Sequence, residues 1–233
     1  MFHSLFLLLI FSLSSAKTLP QLPRSGTAES PVELKNEPHH RLRFENDYVR
    51  VWDTFIPAGD ATLWHRHVND NVAITLDDAN VRVETVGAET VETQFKRGGA
   101  VFRKAPYVHR TTSIGKMPFH NLAIEILKSP RKSRNLPELR EQIPSEPIID
   151  NEIVRVYQVT LAPGESTGMV AYPRSVLWVA ISLGEVVMQK KERGKSNRMR
   201  IAVGDVRWLT GPGAYSVKNV GQTEFEALYV ELN

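Results

Sequence analysis

Two histidines one residue apart, His65 and His67, stand five intervening residues after Gly59. On a β-strand, side chains at i and i+2 point to the same face. Two imidazoles placed in this way can converge on one ion at about 2.0–2.1 Å. A third histidine, His109, ends a strand-like segment that follows Gly98–Gly99 and Pro106. If that segment lies beside the first, three nitrogens meet and leave open coordination positions for a substrate or O₂. Trp64 and Arg66 alternate with the ligands and should face the other way, Trp64 as packing and Arg66 as surface. Tyr107 and His120 are candidates to line a substrate pocket, although packing or surface is the plainer reading of His120. Arg110 joins Tyr107 as a candidate to touch a substrate at the mouth, with core or rim packing an equal reading of both. His39 and His40 fall in a proline-rich arm and read as solvated.

These residues need short strands to hold them, and the chain supplies the pattern. β-branched and aliphatic runs at 48–55, 72–76, 81–86, 100–102 and 122–127 are separated by Gly59, Asp77–Asp78, Gly87, Gly98–Gly99 and Gly115. Regular short strands with turn signals predict an all-β fold, a barrel or sandwich. The pattern then begins again. Asn46, Val49-Arg50-Val51 and Trp52 recur as Asn151, Val154-Arg155-Val156 and Tyr157, and Gly59-Asp60 recurs as Gly164-Glu165. Gly99, Gly115, Phe119 and Glu125 match Gly204, Gly221, Phe225 and Glu231. Two tandem units are therefore expected at 41–127 and 148–233, joined by a proline-rich linker at 128–147. The second unit carries Val170, Tyr172 and Tyr215 where the first has its histidines, so its site is expected to be degenerate and without metal.

Composition narrows the function classes. The 233 residues contain no cysteine, which excludes disulfides, thiolate ligands, a cysteine nucleophile and a lipid-modified N-terminus. A formal charge of +3, with bases scattered among nearly as many acids, speaks against nucleic acid. The loop groups Lys128, Arg131, Lys132, Arg134 and Lys190, Lys191, Arg193, Lys195 read as solvated surface. The apolar run 5–13, followed by Ser14, Ser15 and Ala16, reads as a signal peptide cleaved near Ala16. It is too short to span a bilayer core of about 30 Å. A secreted or periplasmic protein without a stable membrane anchor is the expectation. Residues 17–40, with four prolines, read as an extended or partly disordered leader arm.

The constellation resembles the cupin superfamily. Gly59, His65 and His67 match its first motif; Gly98, Pro106 and His109, with Ser113 downstream, match its second more loosely. The resemblance covers 41–127 and, more weakly, 148–233, and implies two tandem jelly-roll-like cupin barrels. It also implies one divalent ion (Fe, Mn, Ni or Zn), a small-molecule substrate or ligand, and pairing as a homodimer. The family's glutamate ligand falls on Asn71, with Asp70 beside it. Three arrangements stay open: Asn71 as a weak amide-oxygen ligand, Asp70 swinging in, or three histidines alone. Among cupin activities, an oxygenase of small organic molecules is the first expectation, with lyase or isomerase chemistry also in range. A non-catalytic binding or sensing protein is the alternative, and a storage role ranks last.

Overall fold

The structure, a computed structural model, describes residues 30–191 and 196–233. The expected signal segment 1–16, the arm residues 17–29 and two of the basic loop residues, Arg193 and Lys195, lie outside the described residues. Pro31–Asn233 form one compact unit whose regular elements are strands apart from the 3-10 turns Leu34–Asn36 and Leu139–Glu141. No described helix is long and apolar enough to cross a membrane.

The first half contains β1 (Val32–Glu33), β2 (His40–Glu45), β3 (Val49–Ile56), β4 (His65–His67) and β5 (Asn71–Thr75). It continues with β6 (Ala79–Thr85), β7 (Val91–Phe95), β8 (Ala100–Arg103), β9 (Tyr107–Ser113) and β10 (Phe119–Ile126). They form two sheets, ordered β1-β4-β9-β6-β7 and β2-β3-β10-β5-β8. The second half contains β11 (Ile149–Asp150), β12 (Val154–Leu161), β13 (Val170–Tyr172), β14 (Val176–Ala180) and β15 (Gly184–Lys190). Then come β16 (Ser196–Ile201), β17 (Val206–Leu209), β18 (Gly213–Asn219) and β19 (Phe225–Leu232). Its sheets run β11-β12-β19-β14-β17 and β13-β18-β15-β16, the same order as the first half without a counterpart of β1.

The expectation of closed barrels needs correction. In each half the two sheets remain separate ladders, because their marginal strands do not hydrogen-bond across the gap. One equivalence in the repeat also shifts by a residue. Gly98 (φ +78°), rather than Gly99, matches Gly204 (φ +77°), since both occupy the left-handed conformation that their turns require.

Strand parity explains how the sequence fills this frame. Along β3, Val49 and Val51 point outward from the first half while Trp52, Thr54 and Ile56 point inward, and all five are buried. The outward residues of β3, β5 and β10, including Val51, Ile74 and Ile124, pack against Val156, Val179 and Val230 of the second half. The recurrent Val-Arg-Val thus makes the seam between the halves rather than either interior. Strands covered on both faces read as nearly continuous apolar runs, which is how β14 appears. Inside the second half, Tyr157, Tyr172, Trp178, Phe225 and Tyr229 are fully or almost fully buried and fill the space. Inside the first half, Ile56, Val81, Val83 and Phe119 form a smaller cluster and a cavity remains.

The leader arm is ordered further back than expected. From Val32 onward it is part of the fold: β1 pairs with β4 in parallel, and Leu34, Glu37 and His40 are buried. The prolines leave room for a single 3-10 turn, Leu34–Asn36, which carries the apolar anchor Leu34 inward, and do not prevent a strand from bonding along an edge.

Candidate metal centre

β4 and β9 are antiparallel neighbours with His65 directly opposite His109 and His67 opposite Tyr107. Facing residues on one side of such a pair stand about 4.5–5.5 Å apart at Cβ. Alternation along β9 sends Tyr107, His109 and Thr111 inward, so three imidazoles gather at one end of the first half's interior. Their ring centroids are 4.4 Å (His65–His109), 5.1 Å (His67–His109) and 5.2 Å (His65–His67) apart. All three residues are buried, and one potential ligand atom from each lies within 4.8 Å of the others.

The nitrogens fit a divalent ion. His65 donates its Nδ1–H to the Leu63 carbonyl at 2.8 Å, which fixes the tautomer and leaves the Nε2 lone pair buried without a partner. His67 Nε2 and His109 Nε2 face each other at 3.1 Å. Two nitrogens at 2.0–2.1 Å from one ion stand about 2.9 Å apart at a right angle and about 3.4 Å apart at the tetrahedral angle. The observed spacing falls between these limits. Burial pushes the imidazoles below their ordinary range, His65 to about 4 and His67 to about 2, with His109 well below normal for the same reason. Neighbouring positive groups add to the effect of burial. All three are neutral near pH 7, the form a metal requires.

The other expected residues separate cleanly. Asn71 is buried, lines the cavity and donates through Nδ2 to the Tyr107 hydroxyl at 2.8 Å. Asp70 points elsewhere, accepting the Ala105 N–H at 2.7 Å, so it does not take the glutamate's place. Tyr107 lines the cavity, stacks on His67 at 4.6 Å, and burial pushes its phenol up to about 12. His120 does not belong to the pocket. Its β10 neighbour Asn121 faces the cavity, so parity turns His120 outward, where it meets Asp53 Oδ1 at 2.8 Å and the edge of Phe55. Arg110 is also outside, bonded to Glu84 through two nitrogens and lying over Trp64.

Three residues of the site carry no sequence motif. His40, expected to be solvated, lines the cavity with its ring 4.8 Å from that of His65. It donates its Nδ1–H to Glu37 Oε2 at 2.5 Å, leaving Nε2 as the nitrogen without a bonded partner among the described residues. Glu37 also accepts the N–H of His39 and, through Oε1, that of Leu63. Burial raises this carboxyl's pKa, but the His40 bond and charge and the Leu63 N–H outweigh it and hold it below normal. Leu63 thus bonds Glu37 with its N–H and His65 with its carbonyl, tying the N-terminal segment to the centre. Arg103, at the end of β8, is the third. A histidine pair ahead of the first long strand was the one available sequence signal for His40; nothing comparable marked Glu37 or Arg103.

No family model matches the chain, and no curated protein matches it. Solved structures do. AerE from Microcystis aeruginosa matches with a TM-score of 0.61 at 9% identity, over 84% of this chain and 98% of that one. A cupin 2 conserved barrel domain protein from Leptotrichia buccalis gives 0.53 at 10%, over 83% and 88%. Bacillus subtilis oxalate decarboxylase, whose Mn(II) centres are described, gives 0.56 at 13%, over 89% and 78%. The chain has a cupin fold. Identities this low carry the fold of these cupins and none of their activities.

The second half shows why, among the described residues, only the first carries such a cluster. Val170 stands opposite Tyr215 in the register that pairs His65 with His109, and Tyr172 holds the place of His67. Ala73 and Ala123, cavity-lining partners across β5 and β10, correspond to Trp178 and Tyr229, partners across β14 and β19. Small side chains open the first interior, and aromatic ones close the second.

Proposed function

We propose that this cupin is an exported, metal-dependent enzyme of small organic molecules. His65, His67 and His109 would hold one divalent ion in its first half. The observation that carries the reading is the convergence of three neutral, buried imidazoles at a cavity of about 50 Å³. Bound there, a divalent ion supplies Lewis acidity and open coordination positions. The chain's own groups do the rest. Tyr107, accepting from Asn71, keeps its phenolic hydrogen for a substrate oxygen. His40, held by Glu37, presents Nε2 to take a proton from a substrate or return one. Thr54, Thr75 and Asn121 add polar contacts that orient what enters.

Within this range an oxygenase is the first reading, and non-redox lyase or isomerase chemistry uses the same residues. Two tandem cupin units, at 41–127 and 148–233, complete the proposal, the second supporting the first without a metal of its own. Identity of the repeated sheet orders supports that arrangement. The test is elemental analysis of purified protein beside a His65→Ala/His67→Ala variant. One equivalent of metal in the wild type and almost none in the variant is expected. Equal metal in both would remove the centre and the enzyme reading together.

A further inference from the structure

The cavity holds positive charge that none of its own side chains balances. Its walls include four histidines, polar threonines and asparagines and several apolar residues, but no aspartate or glutamate. Arg103 is the single lining group with a permanent charge. Among the described residues it makes no ion pair and no side-chain hydrogen bond; its guanidinium lies 5.8 Å from the Tyr107 ring centroid. Five other arginines of the same half, Arg43, Arg50, Arg82, Arg97 and Arg110, each meet a carboxylate at 3.4 Å or less, while Arg41 and Arg66 are exposed to water. A partly buried cation facing an enclosed space without a counter-ion is unfavourable unless something else supplies the charge. With a divalent ion on three neutral imidazoles, two charges from the ion add to one from Arg103, giving three positive charges.

We propose that the cavity takes a small organic carboxylate. The carboxylate pairs with the planar fork of Arg103, and a second oxygen of the same molecule faces the three-histidine centre. This deepens the reading above and, for the second contact, rests on it. The fork matches a carboxylate in two parallel hydrogen bonds, a geometry that neither lysine nor a neutral donor reproduces. Size limits the acid further. A water needs about 10–15 Å³ of such volume, so the space of about 50 Å³ suits a molecule of roughly two to four carbons. Tyr107, beside Arg103 in the wall and accepting from Asn71, keeps its phenolic hydrogen as the neutral donor that would complete the acid's shell.

Calorimetric titration of the purified protein with lactate, beside its neutral counterpart lactamide, tests this. Wild type, Arg103→Gln and Arg103→Lys are compared, with metal content measured on each sample. Lactate should bind wild type and lactamide should not. Arg103→Gln should weaken lactate about ten- to hundredfold, the worth of hydrogen bonds to a charged group, with metal content unchanged. Arg103→Lys should fall between the two. Equal binding of lactate and lactamide, or undiminished lactate binding in a metal-replete Arg103→Gln protein, would overturn the proposal. Should the wild type hold no metal, the metal centre fails by itself. Lactate binding that Arg103→Gln abolishes would then still support the anion site, and absence of lactate binding would overturn it.

Discussion

At the scale of single residues, the centre depends on imidazoles kept neutral by burial. Their folded pKa values lie below the unfolded value of about 6.5, His65 at about 4 and His67 at about 2. In metal-free protein the unfolded chain therefore takes protons first as the pH falls. The stability these residues contribute is complete above about pH 6.5; that of His65 is lost between there and about pH 4 and that of His67 over the longer span to about pH 2, by about 1.4 kcal/mol per pH unit for each histidine. The urea midpoint of metal-free protein should drop over that window, and His67→Gln, which cannot charge, should flatten the slope. An identical slope in wild type and variant would mean that His67 is not buried and neutral. His120 illustrates the opposite outcome at this scale: one step of parity from Asn121 gives it acidic partners and no part in the cavity.

Among elements, register decides who meets whom and side-chain volume decides whether there is space to meet in. β4 with β9 and β13 with β18 have the same pairing, so strand geometry does not distinguish the halves. The difference lies in Ala73 and Ala123 against Trp178 and Tyr229. Ala73→Leu should therefore keep the three histidines and their metal while filling the cavity. The expected result is unchanged metal content with small-molecule binding reduced at least about tenfold, equivalent to about 1.4 kcal/mol. Retained binding would show that ligands approach the centre by another route. The strand formed by Val32–Glu33 belongs here too, because its pairing along β4 brings Glu37 and His40 to the site. Nothing local marks it, since proline density speaks against a long helix and says nothing of an edge strand.

Across the whole molecule, the two halves share an apolar seam. Outward valines, leucines and isoleucines of β3, β5 and β10 meet those of β12, β14 and β19, and each buried side chain contributes roughly 1.5–3 kcal/mol. Neither half would present an acceptable surface to water without the other. Leu228, fully buried in this seam, provides a test. Leu228→Ala should cost about 2–5 kcal/mol and shift one unfolding transition for the whole protein. Trp52 and Trp64 report on the first half and Trp178 on the second, whereas Trp208 stacks on Tyr48 across the seam. Transitions that separate between the first pair and Trp178, each observed with the remaining tryptophans replaced by phenylalanine, would show that the halves fold independently.

The amino-acid sequence determined what depends on short separations. Alternation along strands, turn glycines and the repeated Val-Arg-Val are local properties, and they were enough for an all-β chain with internal repetition. The His65 and His67 pair was legible for the same reason, since i and i+2 share a face whatever else the chain does, whereas His109 joins them only through the pairing of β9 with β4. Which face of a strand meets the cavity, which meets the seam, and which distant residues arrive beside them depend on strand order, and strand order is non-local. Only the tertiary structure brought His40 and Glu37 into the centre, placed Arg103 without a counter-ion, sent His120 outward and left the sheets open. Each of those outcomes is a contact between elements far apart in the chain, whose partners no local pattern specifies.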